Sequence, residues 1–219
     1  MTRTLPVAVL VSGEGTTLEG LAELAVGGHL PIRICLVVSD RPNIPAIERA
    51  RRRGIPTVVL PTRGADPDAW SDRLTKELLD KGVELVVLAG FLSILPSRWV
   101  ERWAGRAINI HPALLPRHGG PGMYGMRVHK AVLASGEKET GATVHVVTSE
   151  VDGGPTVAQE RLPVLPNDTP ESLRVRLHPI EVELLASTLR RFAEGELSIP
   201  YTASGRPAAG AQERTDARE

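Results

Sequence analysis

The sequence predicts an α/β fold, with a doubly wound, mostly parallel sheet and antiparallel strands added at its C-terminal end. Three observations support this fold class. Short apolar runs alternate with amphipathic segments up to residue 111, as they do in βαβ units. The runs are continuous, which is typical of parallel strands that are buried on both faces. Beyond residue 111, two strand-like segments flank a tight turn.

The first half of the chain predicts five strands and four helices. VAVLV at 7–11 predicts the first strand, and TTLEGLAELA at 16–25 predicts the helix that follows it. Asp66 and Pro67 form a helix-start signal, so the segment 66–82 predicts a longer helix. The other strands are predicted at 32–39, 57–60, 84–90 and 107–111, and the other helices at 46–54 and 97–105. Together these elements predict a Rossmann-like sheet.

The second half of the chain departs from this rhythm. A Gly- and Pro-rich loop runs from Pro112 to about Met126, and VHKAVLASG predicts a helix after it. GATVHVV and PTVAQERLPV predict two strands around the turn EVDGG. A long helix is predicted at 169–195, where Pro179 should kink or break it. We predict one domain over 1–200 and a disordered tail over 201–219, because the tail lacks an apolar pattern.

Composition limits the classes of partner. The 219 residues carry 26 basic and 26 acidic side chains, so the formal net charge is zero. This balance predicts neither a nucleic-acid surface nor a membrane surface, and no apolar run approaches the ~20 residues that span a bilayer. The single cysteine, Cys35, cannot form an internal disulfide, and no signal-peptide pattern is present. We therefore predict a cytoplasmic protein that acts on small molecules.

The segment SGEGTT at 12–17 lies between the first predicted strand and its helix. Backbone N–H groups in such a turn, together with the helix N-terminus, form an anion site. The third glycine of a dinucleotide fingerprint is missing, so we predict a phosphate site that does not bind NAD. Asp40, at the end of the second strand, stands roughly where a ribose-binding acid would be. A plain tight turn with a threonine cap is the alternative.

Two polar residues share a face at the end of the fifth predicted strand. Asn109 and His111 lie two residues apart in INIHPALLP, at the carboxyl end of a strand where α/β sheets bind ligands. An amide and an imidazole can stabilise a developing oxyanion and transfer a proton. A hydrogen-bonded structural histidine is the alternative, although a second polar group in an apolar sheet favours a site.

The two C-terminal strands add further candidates. Asp152 precedes two glycines, either in a plain Asp-Gly turn or as a carboxylate that returns to the sheet edge and polarises His111. His145 shares a strand face with Thr143 and Val147, so a core role and a site role are equally open. No His, Cys, Asp or Glu cluster has the spacing of metal ligands, and we predict no metal.

Four segments together resemble a known family: VLVSGEGTTLEGL, VVLAGFLSIL, INIHPALLP and GATVHVVTSEVDGGPTVAQ. From about Val7 to Gly195 the chain is similar to the phosphoribosylglycinamide formyltransferases of purine biosynthesis. The resemblance implies a formyltransferase domain that uses 10-formyltetrahydrofolate as co-substrate and formylates the amine of N1-(5-phospho-D-ribosyl)glycinamide without metal. It implies three catalytic residues, which are Asn109, His111 and Asp152, with Asp152 raising the pKa of His111.

The resemblance also implies binding residues. It places the ribonucleotide phosphate on Gly15, Thr16 and Thr17, the substrate amine near Glu181, and His145 near the formyl-transfer centre. Four residues are implied to line the folate pocket, namely Leu92, Ser93, Ile94 and Leu95. The chain departs from the family where Ser93 stands in place of a frequent arginine and where Pro67 lies near the position at which some members have another arginine. Glu14 replaces a frequent asparagine and adds charge near the predicted anion site. These departures concern binding of the folate tail and loop closure rather than the reaction.

Other functions remain open at this point. Another folate-dependent formyltransferase or a 10-formyltetrahydrofolate deformylase would share the catalytic trio. A non-catalytic nucleotide-binding module would need only the first turn and Asp40, and would leave Asn109, His111 and Asp152 without a role. The protein is expected to be a monomer or a homodimer.

Overall fold

The computed structural model describes residues 3–199, which form one seven-stranded sheet with helices on both faces. The strands are β1 (Leu5–Val11), β2 (Ile32–Ser39), β3 (Thr57–Val59), β4 (Leu85–Leu88), β5 (Ala107–His111), β6 (Glu139–Val146) and β7 (Thr156–Pro163). The helices are α1 (Thr16–Val26), α2 (Pro45–Arg52), α3 (Pro67–Asp80), α4 (Ser97–Arg102), α5 (Met126–Ala134) and α6 (Pro170–Ala193). The predicted tail, 201–219, lies outside the described residues.

The strand order confirms the predicted fold class. The order is β3-β2-β1-β4-β5-β6-β7. β1 pairs in parallel with β2 and β4, and β5 continues the parallel part beside β4. β6 runs antiparallel to β5, and β7 runs antiparallel to β6, as the C-terminal additions predict. The chain moves outward from β1 in both directions, so the topological switch point lies at the carboxyl ends of β1 and β4.

β1 shows why the central strands are apolar without interruption. Val7, Val9 and Val11 pack on one face of the sheet with residues of α1 and α6. Ala8 and Leu10 pack on the other face with residues of α3 and α4. All five side chains are fully buried. β1 and β4, at the centre of the sheet, therefore carry no polar side chain. In the described residues no helix is long and apolar enough to cross a membrane.

Most boundaries differ from the predictions by a few residues, and two of these differences lie beside glycines with positive φ at the carboxyl edge of the sheet. β4 ends at Leu88, two residues before the predicted end, and Gly90 with a φ of +72° then turns the chain out of the sheet. α5 begins at Met126, within the predicted loop, directly after Gly125 with a φ of +53°. At the carboxyl edge of the sheet, irregular segments therefore follow β4 and precede α5.

The predicted break at Pro179 does not occur. Helix α6 runs without interruption from Pro170 to Ala193. Proline removes the N–H that would bond the carbonyl of Val175. Pro179 and Val175 are both on the exposed side of the helix, so water can bond that carbonyl. Leu177 and Leu185 are fully buried and hold the helix against the core on either side of the proline.

We expect the Pro179→Ala variant to be more stable than the wild type by about 1–2 kcal/mol. The restored backbone hydrogen bond stabilises the helix by more than the added entropy of the unfolded chain destabilises the fold. Urea denaturation measures this difference. The matched control is Val175→Ala on the same exposed face, which should change stability by no more than about 0.5 kcal/mol. A less stable Pro179→Ala protein would contradict the explanation.

Candidate active site

A cavity of about 530 Å³ opens at the carboxyl edge of the sheet, over the switch point. This volume lies in the range of roughly 300–1,000 Å³ that is common for small-molecule sites. Its walls come from the turn after β1, the segment after β4, the polar ends of β5 and β6, the loops around them, and helices α5 and α6. Every candidate site residue named in the sequence analysis, apart from Asp40, lines this cavity.

The turn after β1 is supported from outside by α2. Gly15 caps α1 with a φ of +71° and without a side-chain cap bond, so the threonine-cap alternative is wrong. The backbone N–H of Ala46 donates to the carbonyl of Gly13 at 3.2 Å, and Arg49 Nε donates to that of Glu14 at 2.9 Å. These bonds engage the carbonyls of the turn, which leaves the N–H groups at the start of α1 for an anion.

Asp40 does not occupy a ribose-binding place. It is not part of the cavity wall, and only 8% of its surface is exposed. Its Oδ2 accepts a hydrogen bond from Ser93 Oγ at 2.6 Å. The carboxylate therefore holds the segment after β4 rather than a nucleotide.

Asp152 lies between the two histidines of the sheet edge. Its Oδ2 is 3.5 Å from Nδ1 of His111, and its Oδ1 is 3.4 Å from Nε2 of His145. Asn109 Nδ2 is 2.9 Å from Nε2 of His145 and 3.4 Å from Oδ1 of Asp152. The β5–β6 register sets Asn109 opposite His145, and the loop between β6 and β7 supplies Asp152. The structure thus brings together all four polar residues that the sequence singled out.

The loop after β5 contributes two backbone groups that sequence reasoning missed. His111 Nε2 donates to the carbonyl of His118 at 2.8 Å, since a carbonyl only accepts, and the N–H of Gly120 donates to Asp152 Oδ2 at 3.0 Å. His111 can therefore take up a further proton only at Nδ1, on the side of Asp152. Backbone groups carry no residue-type signal, and only the two consecutive glycines in the loop mark a place of close approach.

The charges of this cluster are set by burial and by its own members. Burial lowers the pKa of His111, and the neighbouring Asp152 raises it by less. The expected direction of the Asp152 effect is right, but burial decides the net shift. Burial raises the pKa of Asp152, yet His145, His111 and the N–H of Gly120 together outweigh it and lower the pKa. A carboxylate beside a neutral imidazole is the resting state that these shifts favour at neutral pH.

The segment after β4 presents apolar side chains to the cavity. Leu92 and Ile94 are 37% and 71% exposed, while Leu95 is buried against the core. Ser93, between Leu92 and Ile94, turns toward Asp40. The exposed Leu92 and Ile94 side chains give this part of the cavity an apolar wall.

Helices α5 and α6 supply further ionisable groups to the wall. Glu181 is buried enough that its pKa rises to about 7, although Arg174 acts in the opposite direction. His129 on α5 is 2% exposed, and burial lowers its pKa to about 4, with Arg174 and His111 acting in the same direction. Sequence reasoning missed His129, Arg174 and His178, whose helical spacing carries no signal of a site. Among the described residues, no group of three or more His, Cys, Asp or Glu side chains is arranged to hold a metal ion.

The raised pKa of Glu181 has a measurable consequence for stability. An acid whose pKa is higher in the folded state stabilises the fold at low pH and loses that contribution as pH rises from about 4.5 to 7. We expect Glu181→Gln to be about 1–3 kcal/mol more stable than the wild type at pH 8 and nearly equal to it at pH 4. Thermal and urea unfolding at both pH values test this, with Glu183→Gln on the exposed side of α6 as the control. An equal effect of Glu181→Gln at both pH values would contradict it.

Fold and site together define a class of protein: an α/β domain with one cavity that is lined by an Asn-His-Asp cluster, the turn before α1 and an apolar segment after β4. The formyl transferase family model matches residues 5–189, which is most of the chain. By this match the class is that of the formyl transferases.

Two similar proteins and one solved structure narrow this class to one family. The chain is 40% identical over 187 residues to the chloroplastic phosphoribosylglycinamide formyltransferase of Arabidopsis thaliana, covering 83% of this chain and 64% of that protein. It is 32% identical over 194 residues to the phosphoribosylglycinamide formyltransferase of Haemophilus influenzae, covering 88% of this chain and 89% of that one. The solved structure of the enzyme of that name from Coxiella burnetii superposes with a TM-score of 0.83 at 36% identity, covering 94% of this chain and 96% of the other. The chain therefore belongs to the phosphoribosylglycinamide formyltransferase family. It spans just under two thirds of the plant relative's length.

Proposed function

We propose that this chain transfers a formyl group from 10-formyltetrahydrofolate to the amine of N1-(5-phospho-D-ribosyl)glycinamide, a step of purine biosynthesis. One observation carries the proposal: a single cavity joins an anion-binding turn, an apolar wall and an Asn-His-Asp cluster. The formyl acceptor is an anionic ribonucleotide and the donor has a large planar ring. The turn suits the first chemistry and the apolar wall suits the second, and the polar cluster lines the same cavity.

In this proposal the turn binds the phosphate of the ribonucleotide. The N–H groups of Thr16 and Thr17 begin α1, where the helix dipole also favours negative charge. Glu181 lies on the wall formed by α6 and takes the place near the glycinamide amine. Its raised pKa lets it change its protonation state near neutral pH, which suits a group that meets an amine.

The segment from Leu92 to Leu95 binds the folate. Leu92 and Ile94 offer exposed apolar surface to the ring. This fit supports 10-formyltetrahydrofolate as the donor, with its formyl group directed toward β5.

The reaction needs charge stabilisation and a proton acceptor. The neutral amine attacks the formyl carbon, negative charge builds on the formyl oxygen, and the nitrogen of the folate leaves once it has received a proton. The amide of Asn109 is a donor for that oxygen. Asp152 accepts the proton of the amine, directly or through water, and His111 can hold a proton at Nδ1 beside the carboxylate. Two substrates held in one cavity also gain effective concentration, which supplies much of the acceleration.

An assay with both substrates tests the function. Purified protein, 10-formyltetrahydrofolate and the ribonucleotide should give formylated ribonucleotide and tetrahydrofolate in equal amounts. Without the ribonucleotide, a deformylase would still release formate, whereas this chain should not. Formate release without an acceptor, or no product with it, would refute the proposal.

Compartment and assembly follow the same proposal. We place the protein in the cytoplasm, since its cysteine, Cys35, is free and buried. Its partners are small-molecule substrates rather than nucleic acids or membranes, and it works as a monomer or a homodimer.

A further inference from the structure

The apolar wall after β4 is anchored by polar groups that have no part in the proposed chemistry. The N–H of Leu92 donates to Ser12 Oγ at 2.8 Å. Ser93 Oγ donates to Asp40 Oδ2 at 2.6 Å and lies 2.8 Å from Thr62 Oγ1. Two consecutive residues of the wall, Leu92 and Ser93, are therefore bonded to side chains that follow β1, β2 and β3. These side chains are Ser12, Asp40 and Thr62.

The carboxylate sets the direction of these bonds. A carboxylate only accepts, so the Ser93 hydroxyl donates to Asp40, and the Ser93 oxygen accepts from Thr62. Hydrogen bonds to a charged acceptor are roughly twice as strong as neutral ones. The other charged group beside Asp40 is Arg41, whose Nε lies 3.6 Å from Oδ2 at the surface. The bond from Ser93 to Asp40 is thus the strongest attachment of the wall.

The geometry of the wall depends on this attachment. Ser93 lies between Leu92 and Ile94, and these two side chains are the exposed apolar groups of the segment. Leu92, Ser93 and Ile94 all line the cavity, and of these three side chains the middle one is bonded to Asp40. The segment itself has no helix or strand bonds to fix it. Without the bond to Asp40, its conformation would have to be ordered by the ligand.

We propose that Ser93 and Asp40 are positioning residues for folate binding, and that their hydrogen bond preorders the segment from Leu92 to Leu95 for the folate ring. The inference rests on the proposed function, because it takes the folate as the ligand of this wall. Neither residue takes part in the chemical step. Loss of the bond weakens the folate complex, since ordering one side chain and its backbone then opposes binding.

Titration calorimetry with tetrahydrofolate, the expected product, is the direct test. Ser93→Ala should raise its Kd about five- to tenfold, the scale of one ordered side chain. Asp40→Asn should act in the same direction, and the double variant should be little worse than the poorer single variant. Thr62→Val keeps the bond to Asp40 and should change the Kd about twofold or less. The matched control is Ser187→Ala, whose hydroxyl bonds the carbonyl of Leu184 in α6, and it should leave the Kd unchanged.

Steady-state kinetics separate positioning from a general loss of structure. In Ser93→Ala, the KM for the folate donor should rise while the KM for the ribonucleotide stays within about twofold. An unchanged Kd for tetrahydrofolate, or an equal weakening of both substrates in a folded variant, would overturn the inference. If Asp40→Asn fails to fold, Ser93→Ala alone decides. Wild-type protein that binds tetrahydrofolate but forms no product would refute the proposed function, while the binding test of this inference would still stand.

Discussion

Replacing Asp152 with asparagine should lower turnover by about 10²–10⁴ while both substrates still bind, the usual scale for lost acid–base help. Asparagine keeps the shape of the side chain but removes the charge that lies 3.5 Å from His111 and 3.4 Å from His145. It also removes the proton acceptor proposed for the amine. Single-turnover kinetics measure the chemical step. As a control, Asp72→Asn at the surface, where Asp72 contacts Arg98 at 3.2 Å, should leave turnover unchanged.

The His111–Asp152 pair should act as a unit. His111→Ala should impair the same step, and the double variant His111→Ala/Asp152→Asn should be little worse than the poorer single variant. The pKa of His111 should fall in Asp152→Asn, because the carboxylate raises that pKa against the effect of burial. An NMR titration of the His111 ring measures the direction. Penalties that multiply, together with an unmoved pKa, would show that the two residues do not work as a pair.

Replacing Gly15 with alanine should raise the KM for the ribonucleotide at least about tenfold, with little effect on the KM for the folate donor. An added Cβ would lie 2.5 Å from Cβ of Ala46 and 2.8 Å from its Cα, and the φ of +71° is strained for any side chain. The turn must therefore move away from α2, and the N–H groups proposed to hold the phosphate move with it. Steady-state kinetics with each substrate varied in turn provide the measurement.

The matched control separates the collision from the backbone strain. Gly82, with a φ of +64°, has open space where its Cβ would be, so Gly82→Ala carries only the conformational penalty, about 1 kcal/mol. Gly15→Ala should be destabilised by more than Gly82→Ala, and only Gly15→Ala should lose ribonucleotide affinity. Equal losses for both substrates in folded Gly15→Ala would refute the assignment of the turn to the phosphate.

The sequence by itself determined the sheet and its helices. Strands β1 and β2 contain continuous apolar runs and are buried on both faces. Such a run is a local property of the sequence, so it predicts a buried strand without knowledge of the rest of the fold. The sequence also determined that Asn109 and His111 share a face, because the strand period of two is local. The break predicted at Pro179 failed because the tertiary structure leaves that side of α6 exposed and packs the other side.

Only the tertiary structure decided which of these residues meet. Asp152 is 41 positions after His111 in the chain, and its distance from both histidines depends on the register of β6 against β5 and on the loop that follows. The same holds for Asp40, whose place at a strand end suggested a ribose contact but whose carboxylate instead bonds Ser93. Every residue has a backbone carbonyl, so the residue types in the sequence do not indicate that the carbonyl of His118 bonds His111. Local periodicity fixes the direction of a side chain, whereas contacts between distant segments depend on how the whole chain packs.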